Sequence, residues 1–181
     1  MSLEKQPLTL TINGKKIGPV DVPVDMPMID FLHGHLDLTG TRFGCGQGVC
    51  HACTIVEIHP NGSTTESRTC VFSAHYFNNK SIVTIEGQAN YDELGNVESL
   101  TPVQQAFIDH FSFQCGYCTP GFVAGATVFL DDLKRQPIQR ANLESAIGDA
   151  LNDHICRCTG YVRYYEAVKE VALATPGCVI D

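Results

Sequence analysis

The chain has 181 residues, 44% apolar and 18% charged, enough apolar material for a packed core and too few charges for a wholly disordered polypeptide. Its longest uncharged, largely apolar run, Phe122 to Leu130, falls far short of the ~20 residues that a membrane span needs. A net charge of -8 without a basic cluster argues against a nucleic-acid surface.

The first half, to about Gly87, reads mostly as strand. Met1-Ser2-Leu3-Glu4-Lys5 lacks the apolar core and cleavage site of a signal peptide. The expected location is therefore cytoplasmic, with a periplasmic or membrane-associated site expected only if a partner carries an export signal. Leu8, Leu10 and Ile12 alternate with threonines, and Asn13-Gly14 is a strong hairpin turn. Val20, Val22 and Val24 form the returning strand, which Pro19 and Pro23 mark as an edge. Asp25 is placed to cap a helix presenting Met28, Leu32 and Leu36. A glycine-rich loop follows, then a strand at Thr54–Ile58, a Pro60-Asn61-Gly62 turn, a short helical stretch near Cys70–Phe77 and a strand at Ile82–Glu86.

Residues 88–100 carry no periodic apolar pattern and read as a connector. Beyond them the period becomes helical. Thr101-Pro102 opens a helix with Val103, Ala106, Phe107 and Phe111 on one face, and Thr119-Pro120 opens a second with Phe122, Ala126, Leu130 and Leu133. Asn142 is placed to cap a third, lined by Leu143, Ile147, Ala150, Leu151 and Ile155. A fourth begins near Tyr164 and carries Val168, Val171 and Ala172. Gly121 and Gly125, one turn apart, suggest a close approach of two helices.

Nine cysteines are the main chemical signal. Without a sign of secretion, that density points to metal ligation before disulfides. Cys45, Cys50 and Cys53 give C-x4-C-x2-C, with Cys70 as a fourth, the spacing of plant-type [2Fe–2S] ferredoxins. Gly40, Gly44, Gly46 and Gly48 let the backbone curl about an anionic cluster and turn N–H groups toward its sulfurs. Zinc, which favours two short knuckles, is the weaker reading there. Cys115 and Cys118 with Cys156 and Cys158 make a second tetrad, for which spacing alone leaves zinc and iron–sulfur open. A C-x-C pair cannot lie on one helix face, so Cys156 and Cys158 belong at a helix end. Thr119 and Thr159 read as N-caps of helices starting just after each pair. Cys178, after Pro176-Gly177, reads as a spare thiol in a mobile tail. With eight cysteines in tetrads, the seven histidines read as ordinary surface or core residues.

Three segments together resemble a known family. Cys45-Gly46-Gln47-Gly48-Val49-Cys50-His51-Ala52-Cys53-Thr54, Gln114-Cys115-Gly116-Tyr117-Cys118-Thr119-Pro120-Gly121 and Cys156-Arg157-Cys158-Thr159-Gly160-Tyr161 are similar to the iron–sulfur subunit of molybdenum hydroxylases, the xanthine dehydrogenase/aldehyde oxidoreductase type. The resemblance covers about residues 7–173. It implies an α+β chain: a β-grasp, plant-type ferredoxin-like domain (1–87), the connector (88–100), and a four-helix [2Fe–2S]-binding domain with a short tail (101–181). It further implies two [2Fe–2S] clusters on the eight cysteines, and a molybdopterin cofactor carried by a large partner subunit and contacted by Gln114 and Cys158. An FAD-binding or cytochrome c subunit is the implied acceptor. His51, Asp153-His154 and Phe72-Ser73-Ala74-His75-Tyr76 depart from the family pattern, and His51 and His75 are expected on the face where electrons leave.

No nucleophile elbow, metalloprotease motif or nucleotide fingerprint is present, so substrate chemistry is not expected on this chain. The expected function is single-electron relay from a partner's molybdenum site, with an aldehyde as substrate. A subunit of an N-heterocycle or purine hydroxylase, and a stand-alone two-cluster ferredoxin, are the alternatives.

Overall fold

The structure is a computed structural model describing residues 4–181. Met1–Leu3, where the reading of an absent signal peptide begins, lie outside the described residues. No helix among the described residues is long and apolar enough to cross a membrane.

Strand β1 (Lys5–Ile12) buries Leu8, Leu10 and Ile12 and turns at Asn13-Gly14, both left-handed (φ 52° and 75°), into β2 (Lys15–Pro23). The hairpin is the one the sequence predicts, and β2 does form the sheet edge. With β3 (Thr54–Ile58), β4 (Thr64–Arg68) and β5 (Ser81–Val83) they form one mixed sheet in the order β2-β1-β5-β3-β4. Within this sheet only β1 and β5 run parallel. Helix α1 (Met28–Leu36) closes this core with Met28, Phe31 and Leu32. Its cap position falls on Pro27, not Asp25, and no side chain caps it.

Two strand expectations need correction. The polar segment β4 was not expected as a strand; it pairs along the whole of β3. The strand expected over Ile82–Glu86 stops at Val83, and a 3₁₀ turn occupies Ile85–Gly87. Residues 88–100 carry a small hairpin, β6 (Asn90–Tyr91) with β7 (Val97–Ser99).

Helices α2 (Pro102–Asp109), α3 (Thr119–Arg135), α4 (Leu143–Leu151) and α5 (Val162–Ala174) share a second core built from Phe107, Phe122, Leu130, Ile147, Leu151 and Tyr164. Thr101 and Gln104 complete a reciprocal capping box at α2. Helix α2 ends at Asp109, so Phe111 turns left-handed (φ 49°) and stands 73% exposed instead of joining the apolar face. Ile155 likewise lies beyond α4 and is half-exposed. Asn142 occupies the α4 cap position but makes no side-chain cap bond.

Helix α3 joins the halves. Its Ala124 and Val128 pack against Val56 of β3, and Thr64 of β4 donates to Asp131 at 3.2 Å. Gly121 and Gly125 permit a close approach, but to the cysteine loop and to His154 in the turn after α4, not to the flank of another helix. A methyl at Gly121 would meet the His51 carbonyl oxygen at 2.2 Å, and one at Gly125 would meet His154 Nε2 at 2.4 Å. Cys178 is also not in a free tail. It is fully buried in the helical core, and Val179–Ile180 (β9) pairs with Ile138–Gln139 (β8).

Candidate metal centres

The first tetrad lies on the loop between α1 and β3, with Cys70 just after β4. Gly46 and Gly48 adopt left-handed backbone (φ 68° and 72°), a region that side chains disfavour. The curl brings the Gln47 N–H to 3.3 Å from Cys45 Sγ. Burial raises the Cys45 thiol, but the N–H groups of Gln47, Cys50 and Val49, with the Cys50 thiol, outweigh it and bring it down to about 6. Cys53 is pushed the other way, up to about 11, by burial and by the adjacent Cys70 thiol. Cys50 is also raised, chiefly by burial. Thr69 anchors the Cys53 end, its hydroxyl donating to the Cys53 carbonyl at 2.9 Å.

The second tetrad is assembled by helix ends. Cys115 follows α2, Cys118 immediately precedes α3, and Cys156 and Cys158 occupy the turn from α4 to α5. Cys158 Sγ lies 3.7 Å from Cys115 Sγ, and the half-buried Cys118 thiol bears on Cys156. Both threonines are spent on the site and not on caps. Thr159 donates to Cys156 Sγ at 3.0 Å, and Thr119 shares a 2.8 Å hydrogen bond with the Tyr164 hydroxyl. The α3 cap position is Cys118 and that of α5 is Tyr161. Tyr161 accepts from the Cys156 N–H at 3.1 Å. Burial and the neighbouring Cys156 thiol raise Cys118 to about 12. Cys156 is lowered despite burial, because the Thr159 hydroxyl and two backbone N–H groups face it.

The two sets open on a common cavity of about 280 Å³, lined by Cys45, Cys50, Cys115, Cys118, Cys156 and Cys158 among others. The loops around it are pinned across the halves. The Tyr117 hydroxyl donates to the Phe43 carbonyl at 2.6 Å, and the Ile155 N–H donates to the Cys50 carbonyl at 3.1 Å. Each set is all-sulfur, and its amide and hydroxyl donors face thiolate positions; that donor chemistry fits an anionic [2Fe–2S] cluster in each.

Gln114, Cys115 and Cys158 are all exposed, and Gln114 lines a surface cavity with Phe111, Phe113, Thr159 and Arg163. Phe107, Phe122 and Phe129 are core residues, whereas Phe111 and Phe113 face outward. The two histidines expected on an outer face part company. His75 bonds the Val22 carbonyl at 3.0 Å. His51 turns inward (φ 56°) to meet Glu66 and His154 at the junction of the halves. Glu66 was missed as a candidate, since nothing in the Thr-Thr-Glu-Ser-Arg run sets it apart.

A profile described as "[2Fe-2S] binding domain" matches residues 84–169, the stretch holding the second tetrad, and decides iron–sulfur over zinc there. The chain is 33% identical to the aldehyde oxidoreductase iron-sulfur-binding subunit PaoA of Escherichia coli O157:H7 over 93% of its own length and 72% of the relative's. It is 32% identical to the isoquinoline 1-oxidoreductase subunit alpha of Brevundimonas diminuta, covering 94% of that protein. It also matches rat aldehyde oxidase 1 at 32% identity, but spans 12% of that much longer chain. Among solved structures, quinoline 2-oxidoreductase from Pseudomonas putida 86 matches with TM-score 0.76 and 30% identity, over 96% of this chain and 93% of that one. The family implied by the three cysteine segments is therefore the right one: this chain belongs to the iron–sulfur subunits of the molybdenum hydroxylases.

Proposed function

We propose that this chain relays single electrons from the molybdenum site of a large subunit to a further acceptor. Residues 1–87 act as a β-grasp ferredoxin-type unit and 101–181 as a helical cluster-binding unit. Cys45, Cys50, Cys53 and Cys70 hold one cluster, and Cys115, Cys118, Cys156 and Cys158 hold the other. When bound, a [2Fe–2S] cluster supplies storage for one electron at a time. The observation that carries the reading is the cavity that Cys45 and Cys50 of one set share with all four thiols of the other.

The residues around the sets do the rest. Buried Cys53 and Cys156 exclude water, while the Gln47 N–H and the Thr159 hydroxyl stabilise thiolate charge. The outward set, with Gln114 and Cys158 on its surface, is the one that faces the large subunit and contacts its pterin. Exposed Phe111 and Phe113 flank that surface and supply apolar docking area. The aldehyde named in the Escherichia coli relative supports an aldehyde as the large subunit's substrate, and FAD or a cytochrome c is the acceptor.

Iron and sulfide analysis, with electron paramagnetic resonance after dithionite, tests the cluster assignment. We expect about four irons per chain and two distinguishable reduced signals. Size exclusion of native extract tests the assembly. A lone small species without molybdenum would favour a free two-cluster ferredoxin, and turnover of N-heterocycles but not aldehydes would overturn the substrate.

A further inference from the structure

Three side chains that neither tetrad uses meet where the cysteine loop, the outer sheet strand and the helical half touch. His51 Nδ1 lies 3.4 Å from Glu66 Oε2, and His154 Nε2 lies 3.2 Å from that same oxygen. The donor atoms of all three residues fall within 4.8 Å of one another. Their side chains are 10%, 18% and 1% exposed for His51, Glu66 and His154. The rings meet edge to face, with centroids 4.9 Å apart.

None of these three atoms makes a hydrogen bond of acceptable geometry, and both ring nitrogens of His154 are without one. The three groups bear on one another at ion-pair distance but with poor hydrogen-bond geometry, and a buried group left poorly satisfied costs about 1–3 kcal/mol, which a common partner would relieve. Two imidazole nitrogens and a carboxylate oxygen form a donor set typical of zinc. Ligand atoms at about 2.0–2.2 Å from a tetrahedral ion stand about 3.3–3.6 Å apart; of the two separations to Glu66 Oε2, 3.4 Å lies within that spacing and 3.2 Å just below it. Bare backbone covers the site, since a methyl at Gly125 would stand 2.4 Å from His154 Nε2 and 3.1 Å from Glu66 Oε1.

We propose that His51 Nδ1, the Glu66 carboxylate and His154 Nε2 bind a zinc-class divalent cation that staples the first cysteine loop to the helical half. The three ligands come from the cysteine loop, β4 and the turn after α4, so the ion bridges segments that sequence separates widely. The site is distinct from both cysteine sets, and its occupancy does not depend on electron relay.

The test uses the full chain carrying its iron, purified without chelator and dialysed against zinc. Metal analysis should give about one zinc per chain beyond the iron, and zinc X-ray absorption should show only nitrogen and oxygen ligands at about 2.0–2.2 Å. Glu66→Gln, which keeps the side-chain shape, should weaken zinc retention at least ~10-fold with iron content unchanged, and His154→Gln should do the same. If His154→Gln fails to fold, Glu66→Gln and the wild-type absorption spectrum still decide. Absence of zinc, sulfur ligands at about 2.3 Å, or undiminished zinc in Glu66→Gln would each overturn the proposal.

Discussion

Gly121→Ala tests how tightly the two halves are joined. The added methyl would stand 2.2 Å from the His51 carbonyl oxygen, 3.1 Å from its carbon and 3.2 Å from Ala52 Cα. All of these are backbone atoms and cannot rotate away, so α3 and the cysteine loop must part by roughly 1 Å, enough to forfeit a quarter to a half of the dispersion energy across the contact. Overpacking of this kind costs about 1–3 kcal/mol, and backbone opposition puts this case near the upper end. Alanine regains about 1 kcal/mol as a better helix former. The net loss of about 2 kcal/mol corresponds to a melting point lower by ~4–8 °C in a chain of this size. Gly148→Ala is the matched control. It lies within α4, its nearest neighbour is Asn152 Nδ2 at 3.7 Å, and it keeps the helix gain without the clash, for a rise of ~2–4 °C. Thermal melts of the iron-loaded proteins at one scan rate, with resonance spectra of the first cluster, provide the comparison. If Gly121→Ala melts as high as Gly148→Ala with an unaltered spectrum, the close packing of α3 on the cysteine loop is wrong.

Cys53→Ser should lose about half the iron, whereas Cys178→Ala should keep all of it and lose about 1–2 kcal/mol of stability from the small buried void; iron analysis and denaturant melts separate them. Thr159→Val removes the 3.0 Å hydroxyl donor to Cys156 Sγ and should lower the midpoint potential of the second cluster while leaving the first unchanged, as followed by redox titration. In iron-free, reduced chain, Cys45 has a folded value of about 6 against an ordinary 9.0, so its thiolate is present above that pH and lost below it. Alkylation at Cys45, mapped by mass spectrometry, should therefore climb through pH 6 and level off by about pH 7. Cys53 and Cys118, at about 11 and about 12, should stay slow across the same range.

What was legible in the sequence was local. The Asn13-Gly14 hairpin, β3 and the Thr101 cap follow from turn and capping chemistry carried within a few residues. The candidate metal ligands announce themselves through thiol spacing, and the structure gathers thiols of both sets around one cavity. What was hidden depends on contacts distant along the chain. Strand β4 is polar throughout because its buried residues, Thr64 and Ser67, meet other polar groups: Thr64 reaches Asp131, and Ser67 donates to Glu57 at 3.0 Å. Phe111 and Ile155 keep helical spacing after their helices have ended, so periodicity runs past the true boundary. Thr119 and Thr159 have the chemistry of caps, but their hydroxyls are taken by Tyr164 and Cys156. Glycine spacing signalled a close approach at Gly121 and Gly125 without naming what approaches.

The two tetrads share an electrostatic plan despite unrelated local folds. Each holds one thiol lowered by donors, Cys45 by loop amides and Cys156 by the Thr159 hydroxyl and turn amides, and at least one raised chiefly by burial, Cys53 and Cys118. Iron binds thiolate and must displace a proton from any thiol still protonated. Cys45, brought down to about 6, therefore offers its sulfur at neutral pH with little of that cost, and Cys156 is shifted in the same direction. The raised pair, Cys53 and Cys118, would give up its protons only when metal charge compensates the thiolate. A loop of left-handed glycines and a junction of helix ends thus solve the same problem, because both put free backbone donors beside one sulfur and apolar cover over another.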